Sequence, residues 1–316
     1  MAASDPAVPA PAPARGRSTG RFARTRRQGG PRRVSWFLVL PGLFCLFAFH
    51  IVPSVAGGWY AFTDWDGLSQ AHWIGLDNFS RVFSNPTSKN ALLHTFELGG
   101  AFFVLANAIG LGLALALNRT LKSRNALRSI FFLPVAMSPL AVAFIWQYIF
   151  DYDGALNRAL GAVGLESWKH TWLGDPKWAL WTVLVVLVWQ FSGLTMVIYL
   201  AGLQGISDEL IEASAVDGAN TWTRFRRIVL PLLAPAITVA ATLTMIYGLR
   251  VFDQVVALTG GGPVDSTETL ATQVWKETFA NGHFGYGAAL SLILTAVIAV
   301  LSLGQLAVLR ARERRI

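Results

Sequence analysis

The sequence predicts an all-α integral membrane protein with six transmembrane helices. Hydrophobic residues make up 53% of the 316 residues and charged residues only 14%, whereas soluble proteins carry about a quarter charged residues. The mean hydropathy is +0.47, and the apolar residues cluster into long runs. Twelve tryptophans and twenty phenylalanines agree with a membrane location, because aromatic side chains concentrate at bilayer interfaces.

The chain contains six apolar runs, each near the roughly 20 residues that a bilayer core requires. They cover residues 36–62, 91–117, 129–150, 178–203, 232–251 and 287–309. Residues 1–35 are rich in alanine, proline and arginine, which predicts a disordered cytoplasmic tail because this composition cannot form a core. The tail also resembles a signal peptide, but the following run is too long and lacks a small-residue cleavage site. One membrane domain therefore covers residues 36–310, and residues 311–316 form a basic cytoplasmic end.

Prolines and glycines interrupt several of the runs. Pro53 predicts a kink in the first run, and the third run contains Pro134 and Pro139. Pro231 and Pro235 are expected to break or kink the chain as it enters the fifth run. Four glycines in the second run permit close helix contact: Gly99, Gly100, Gly110 and Gly112.

The distribution of lysine and arginine predicts the orientation in the membrane. One side of the predicted topology holds the N-terminal tail, the 118–128 link, the 205–231 loop and the C-terminal end, with 19 basic residues in total. The three loops on the opposite side hold 6. Because the basic excess marks the cytoplasmic side, both termini and the 205–231 loop are predicted to be cytoplasmic.

The 205–231 loop itself has the pattern of two short helices joined by a turn. Residues 206–216 suit a helix, with Ser207 as a plausible N-cap. Gly218 can adopt the positive φ that ends a helix. A second helix can begin at Asn220 or Thr221, so the loop predicts a helix-turn-helix elbow with a face of small residues.

The elbow resembles the EAA loop of binding-protein-dependent ABC importer permeases. The matching pattern is Glu212-Ala213-Ser214-x-x-Asp217-Gly218-Ala219, followed by Phe225, Ile228 and Leu230-Pro231. Ser214 stands where that family usually has alanine. The resemblance implies that the loop is a coupling helix seated in a cleft of a cytoplasmic ATPase, and that six residues contribute: Glu212, Ala213, Ser214, Asp217, Gly218 and Ala219. The alternative is a solvated connecting loop in which Asp217 only caps the local backbone.

Further matches run from about residue 36 to residue 310 and resemble the carbohydrate-uptake branch, the maltose and glycerol-3-phosphate type. The matching stretches include Gly75–Phe79, Phe131–Pro134, Thr259–Pro263 and Phe284–Ser291. Each is weak alone, and their order along one chain carries the resemblance. The resemblance implies the ABC importer permease type of fold, with six spans and a cytoplasmic coupling loop. It also implies four kinds of partner: a second permease subunit, two ATPase subunits, an extracytoplasmic solute-binding protein and a sugar-type solute.

The sequence shows no catalytic constellation. It lacks a GxxxxGK[ST] phosphate loop, so ATP and Mg are expected on the partner ATPase and no cofactor on this chain. The five histidines have no metal-ligand spacing, and the single cysteine excludes an internal disulfide. The formal charge of +8 does not imply a nucleic-acid partner. The basic residues lie at the ends of apolar spans, beside membrane lipid, so orientation in the membrane explains them.

Polar side chains within the spans are candidates for the solute path. Sugars are bound by aromatic faces together with hydrogen-bonding groups, which makes eight residues candidates: Gln147, Trp189, Gln190, Thr195, Thr244, Tyr247, Arg250 and Asp253. The alternative is that these groups hydrogen-bond helix to helix. Arg250 and Asp253 can pair as i and i+3 neighbours, whereas an Arg250 that faces the path favours an anionic solute such as a sugar phosphate.

Together these features predict a non-catalytic permease subunit in the bacterial plasma (inner) membrane that imports a sugar or a related polyol or glycerol phosphate. A secondary transporter or channel that works without ATP is the main alternative, and usually has more intramembrane carboxylates than this chain. An intramembrane enzyme would require a cluster of histidine and acidic residues inside the spans, and the sequence shows none.

Overall fold

The computed structural model describes residues 36–119 and 122–313. The predicted tail, residues 1–35, and the last three residues of the predicted cytoplasmic end lie outside these ranges. Within them the chain is helical, with no β-strand and one isolated bridge between Thr63 and Trp73. The predicted all-helical fold class is therefore confirmed.

The helices vary from long membrane-spanning elements to single turns. In chain order they are α1 (Trp36–Leu46), α2 (Val52–Tyr60), α3 (Asp77–Ser84), α4 (Pro86–Leu117), α5 (Arg124–Ala136), α6 (Pro139–Phe150), α7 (Ala155–Ala162), α8 (Ala179–Gln204), α9 (Asp208–Val216), α10 (Thr221–Leu232), α11 (Ala234–Leu249), α12 (Asp253–Leu258), α13 (Leu270–Trp275) and α14 (Phe284–Glu313). Pro53 lies in the first turn of α2. A π-helical turn, Phe225–Val229, lies inside α10.

Four stretches are long and apolar enough to cross a membrane singly: Val39–Tyr60, α4, α8 and α14. Two bent pairs meet the same test only when their members are taken together. They are α5 with Pro139–Ala162, bent by 101°, and α10 with α11, bent by 70°. Counting each pair as one span gives six, the number predicted from the apolar runs.

Helix α8 is the central helix of the described bundle. Two thirds of its most apolar window is buried, against 28% for α4 and 11% for α14. It packs against α4, α5 and α11, and also contacts α6 and α12. Since α4 and α14 are equally apolar but mostly exposed, their outer faces are suited to lipid or to another membrane subunit.

The third predicted span, 129–150, is divided into two helices. Helix α5 ends at Ala136, and Ser138 begins α6 with its side-chain oxygen accepting from the Ala141 N–H at 3.2 Å. Pro139 causes the break, because a residue before proline is driven out of the helical region and proline has no N–H to donate. Ser138 accordingly has an extended backbone (φ −64°, ψ 142°).

The 70° bend between α10 and α11 lies between the two prolines that were expected to interrupt this region. Pro231 is accommodated inside α10, and Pro235 sits in the first turn of α11, where its missing N–H costs little. Between them, Leu233 is fully buried in an apolar cluster with side chains of α4 and α8. The bend is therefore fixed against the centre of the bundle.

Candidate functional site

The elbow between α9 and α10 is built around Gly218. Gly218 has φ +81°, its N–H donates to the Ala215 carbonyl at 3.1 Å, and the Ala219 N–H donates to the Ser214 carbonyl at 3.0 Å. These two bonds form a Schellman motif, which satisfies carbonyls at the end of α9 and needs a left-handed residue at the glycine. Asn220 then starts α10 by accepting from the Thr223 N–H at 2.8 Å. The predicted turn at Gly218 is confirmed.

Four of the predicted coupling residues face outward and two do not: Glu212, Ala213, Asp217 and Gly218 are exposed, Ala219 is half-buried and Ser214 is buried. The Ser214 hydroxyl donates to the Ile211 carbonyl at 2.7 Å, so this side chain contributes a hydrogen bond within α9. Ser207 occupies the N-cap position of α9 without a side-chain hydrogen bond.

Helix α9 also exposes two apolar side chains that were not among the predicted site residues. Val216 is 88% exposed and Leu210 is 51% exposed. They lie on α9 with the exposed carboxylate of Glu212. An apolar surface with a carboxylate on one short helix is suited to a protein partner that offers a basic group and an apolar cleft.

Four of the eight predicted path residues hydrogen-bond between helices. Gln147 donates to the Ala257 carbonyl at 2.7 Å, and Thr195 donates to the Ala106 carbonyl at 2.8 Å. Gln190 accepts from the Gln254 side chain at 3.0 Å, and Thr244 accepts from Asn107 at 2.7 Å. These contacts are the helix-to-helix role that the sequence left open as the alternative.

Trp189 lies on a different face from the remaining candidates. It borders a groove of about 710 Å³ between α4, α5 and α8, where it meets Trp146 edge to face at 5.4 Å. The walls of this groove are almost entirely apolar. A sugar would find few hydrogen-bond partners there, so the groove does not suit a polar solute.

The last three candidates, Tyr247, Arg250 and Asp253, line one cavity of about 180 Å³ at the end of α11. Its wall combines aromatic and polar groups, the combination predicted for a sugar site. The residues that matter for this chemistry are Phe191, Tyr247, Phe252, Arg250, Asp253 and Gln254.

The charged groups of this cavity are not paired with each other. The ion pairs within the described ranges lie elsewhere and do not include Arg250 with Asp253. Tyr247 packs against Phe191 with ring centroids 5.4 Å apart. The cavity therefore offers aromatic rings, one guanidinium and one carboxylate to a ligand, which can donate to and accept from hydroxyl groups.

A polar triad that sequence reasoning missed links the three membrane helices α4, α8 and α11. The Tyr199 hydroxyl donates to Asn107 Oδ1 at 2.7 Å, and Asn107 Nδ2 donates to the Thr244 hydroxyl at 2.7 Å. Tyr199 and Thr244 are buried. Asn107 could have been found from the sequence, because an amide inside an apolar run needs a polar partner.

A buried carboxylate in the loop between α12 and α13 was also missed. Glu268 is only 1% exposed, and its Oε1 has no hydrogen-bond partner in the described part of the chain. Its Oε2 lies against Gly261, where an added Cβ would be 2.0 Å away. Its carbonyl contacts His94 Nδ1 at 3.1 Å. Glu268 thus ties the glycine-rich turn Thr259–Pro263 to α4.

Burial raises the pKa of the Glu268 carboxyl above its ordinary value of 4.5, and the nearby carboxylates of Asp265 and Glu277 act in the same direction. The Lys276 ammonium, 4.0 Å from Oε2, opposes this rise but does not cancel it. A carboxyl whose pKa is raised on folding favours the folded state below its unfolded pKa. That contribution is lost as the pH rises through the folded-state pKa.

We expect the purified protein to lose thermal stability as the pH rises from about 4.5 towards neutrality. Glu268→Gln removes the buried charge. The midpoint of its thermal unfolding in detergent should therefore change by several degrees less between pH 4.5 and pH 8 than that of the native protein. Glu166→Gln, at an exposed carboxylate, is the matched control and should follow the native curve. Equal pH dependence of the thermal stability in the native protein and in Glu268→Gln would contradict the raised pKa of the Glu268 carboxyl.

Residues 108–316 match the family described as binding-protein-dependent transport system inner membrane component. The probable starch degradation products transport system permease protein AmyD of Thermoanaerobacterium thermosulfurigenes is 34% identical over 279 residues, covering 88% of this chain and 94% of that protein. The trehalose/maltose transport system permease protein MalF of Thermococcus litoralis is 32% identical over 280 residues, covering 86% and 94%.

The fold is similar to that of a solved membrane protein. A chain from the crystal structure of a bacterial ABC transporter involved in the import of the acidic polysaccharide alginate superposes with a TM-score of 0.77 at 24% identity. The alignment covers 87% of this chain and 94% of that one. At this identity the likeness concerns the fold alone.

Proposed function

The chain belongs to the inner membrane components of binding-protein-dependent transport systems, and from this membership we propose that it is the permease subunit of an ATP-driven importer for a sugar-type solute. Such a subunit is a multi-pass inner membrane protein without catalytic activity of its own. The proposed assembly contains a second permease subunit, two ATPase subunits that bind ATP and Mg, and an extracytoplasmic solute-binding protein. The names of relatives that transport starch products and trehalose or maltose support a carbohydrate solute.

The elbow is the observation that carries this proposal. Its two helices are held by a glycine turn, and Glu212 stands exposed one turn before the exposed apolar Val216. The excess of basic residues supports a cytoplasmic position for the elbow and for both termini. A rigid, exposed acidic helix on that side is suited to receive force from an ATPase that offers a basic cleft.

Helix α11 supplies a physical connection between the elbow and the candidate solute cavity. It follows α10 directly across the 70° bend, and Tyr247 lies near its other end, followed by Arg250. In the proposed cycle, closure of the ATPase pair moves the elbow as a rigid lever and turns the spans from inward-facing to outward-facing. The binding protein then releases solute into the cavity, and ATP hydrolysis resets the pair.

The cavity supports recognition of one sugar ring. Its volume of about 180 Å³ is below the roughly 300–1,000 Å³ of pockets that enclose drug-sized ligands. Phe191 and Tyr247 can stack on the apolar face of a ring, while Arg250 donates to hydroxyl oxygens and Asp253 accepts from hydroxyl groups. A longer carbohydrate would extend beyond this chain towards the second permease subunit.

The test is uptake by the complete transporter with its binding protein, reconstituted into vesicles that are loaded with ATP. Radiolabelled maltose, lactose and glycerol 3-phosphate serve as probes. We expect ATP-dependent uptake of at least one probe, and Tyr247→Ala and Arg250→Gln should each lower the initial rate at least tenfold, the effect of losing about 1.4 kcal/mol of binding. Both changes leave α11 free to form, because neither side chain is buried.

Tyr148→Ala is the matched control for the tyrosine change, since Tyr148 is 70% exposed on α6 and does not line the cavity. It should leave uptake unchanged. Uptake that follows an ion gradient without ATP would support a secondary transporter and refute the importer. Normal uptake by both cavity variants would remove the cavity from the solute path while leaving the importer assignment in place.

A further inference from the structure

We propose that α10 lies in the membrane interface and binds the headgroup of an anionic phospholipid through Arg226 and Arg227. This interaction goes beyond the transport function, because it concerns the lipid around the lever and not the solute. The inference rests on the direction of α10, on two cations without acidic partners and on an aromatic side chain beside them.

The direction of α10 follows from its bend against α11. Helix α11 is part of a membrane span, and α10 meets it at 70°. When α11 crosses the bilayer roughly along the normal, α10 runs nearly parallel to the membrane surface. Leu232, next to the buried Leu233 at the bend, keeps this end of α10 at the edge of the apolar layer.

The two cations are free to bind an external anion. Arg226 and Arg227 are exposed, and neither forms an ion pair within 4.0 Å in residues 36–119 and 122–313. Together with Trp222 and Thr223 they line a shallow cavity of about 360 Å³. Two neighbouring guanidinium groups and a hydroxyl supply the donors that a phosphodiester group requires.

The aromatic and apolar residues of α10 fit a position at headgroup depth. Trp222 is 67% exposed and packs against Phe225 with ring centroids 5.8 Å apart. Phe225, Ile228 and Val229 are half-buried on the inner side of the helix. A tryptophan beside arginines at the end of a membrane span is typical of the interface, where the ring meets acyl chains and the charges meet phosphates.

Charge complementarity favours lipid over the ATPase as the occupant. The proposed ATPase-docking helix α9 presents the carboxylates of Asp208, Glu209 and Glu212, so its partner must offer positive charge there. Arg226 and Arg227 would repel such a surface. An anionic headgroup at the membrane surface satisfies the arginines without competing for the acidic helix.

This arrangement would place a lipid contact within the proposed lever. Helix α10 is the second helix of the elbow and leads directly into α11, so the lever moves together with whatever α10 binds. Anionic lipid is therefore expected to affect import itself, and not only the insertion of the protein into the membrane.

The test is native mass spectrometry of the detergent-purified complete transporter, titrated with phosphatidylglycerol and, separately, with phosphatidylcholine. A basic residue near a membrane surface contributes about fivefold in affinity for anionic lipid, so the double variant Arg226→Gln/Arg227→Gln should bind the first phosphatidylglycerol roughly twentyfold more weakly. Phosphatidylcholine binding should not change. Millimolar inorganic phosphate should not displace the lipid, since the apolar contacts of Trp222 are part of the site.

The matched control is Arg310→Gln/Arg312→Gln, which removes the same charge from exposed arginines at the end of α14. It should retain native phosphatidylglycerol binding. The proposal is overturned if Arg226→Gln/Arg227→Gln binds phosphatidylglycerol like the native complex. Loss of the ATPase subunits with unchanged lipid binding would assign the two arginines to ATPase docking, and displacement of lipid by inorganic phosphate would refute a headgroup site.

Discussion

Glu212→Lys is expected to separate the ATPase subunits from the complex while leaving the chain folded. Glu212 is exposed on α9 and forms no ion pair with any other described residue, so its replacement removes no contact inside the chain. Lysine also has a helix propensity close to that of glutamate. At a docked interface, however, reversing a paired charge costs 2–5 kcal/mol, which lowers affinity by roughly thirtyfold or more.

The measurement is co-purification of the tagged chain with its ATPase subunits, quantified by mass spectrometry, beside the elution profile of the chain in size-exclusion chromatography. Asp153→Lys makes the same change from a carboxylate to an ammonium at an exposed residue outside α9. The control should retain most of the ATPase. If Glu212→Lys co-purifies with the ATPase as well as the native chain does, the elbow is not the docking site.

Gly193→Val is expected to cause the largest loss of folded protein among substitutions in the spans. An added Cβ at Gly193 would lie 1.9 Å from the Phe131 carbonyl oxygen and 3.0 Å from the Phe132 Cα. These are backbone atoms of α5, so the clash cannot be relieved by a side-chain rotation, and α5 must move away from α8. Overpacking in a protein core typically costs 1–3 kcal/mol, and a displaced membrane helix should exceed the lower end of that range.

The folded fraction can be followed by fluorescence-detected size-exclusion chromatography after heating. Gly112→Val is the control, because Gly112 lies in the similarly apolar α4 and has nothing within 4 Å of an added Cβ. We expect Gly193→Val to lower by several degrees the temperature at which half of the monodisperse peak is lost, or to abolish that peak. A native-like midpoint would mean that α5 and α8 do not approach as closely as described.

The elements that depend on local sequence could be predicted. The apolar runs indicated the spans, and the Asp217-Gly218 pair indicated the end of α9, since helix termination depends on the conformational range of one residue. The prolines predicted breaks in the spans but not the angles of the resulting bends. The 101° turn at Ser138 depends on how α6 packs against α8 and α12. Such contacts join residues that are distant in the chain, so they cannot be read from the sequence.

Side-chain direction was the main feature that the sequence left open. Gly99 and Gly110 meet neighbouring helices, whereas Gly100 and Gly112 face open space, because rotation about the helix axis separates glycines of identical propensity. Rotation likewise directs Tyr247 into the polar cavity and Trp189 into an apolar groove. The sequence did not indicate that Glu268 is buried, because its burial arises from a loop that folds over Gly261.

The hydrogen bond between Asn107 and Thr244 divides α11 unequally. At 1.5 Å per residue, Thr244 lies roughly 15 Å from the start of α11 at the bend and roughly 5 Å from Tyr247, which lines the cavity. If this bond acts as the pivot of α11, a displacement at the bend reaches Tyr247 at about a third of its size and in the opposite direction. A large movement of the ATPase would then reach the solute cavity as a smaller movement with a larger force.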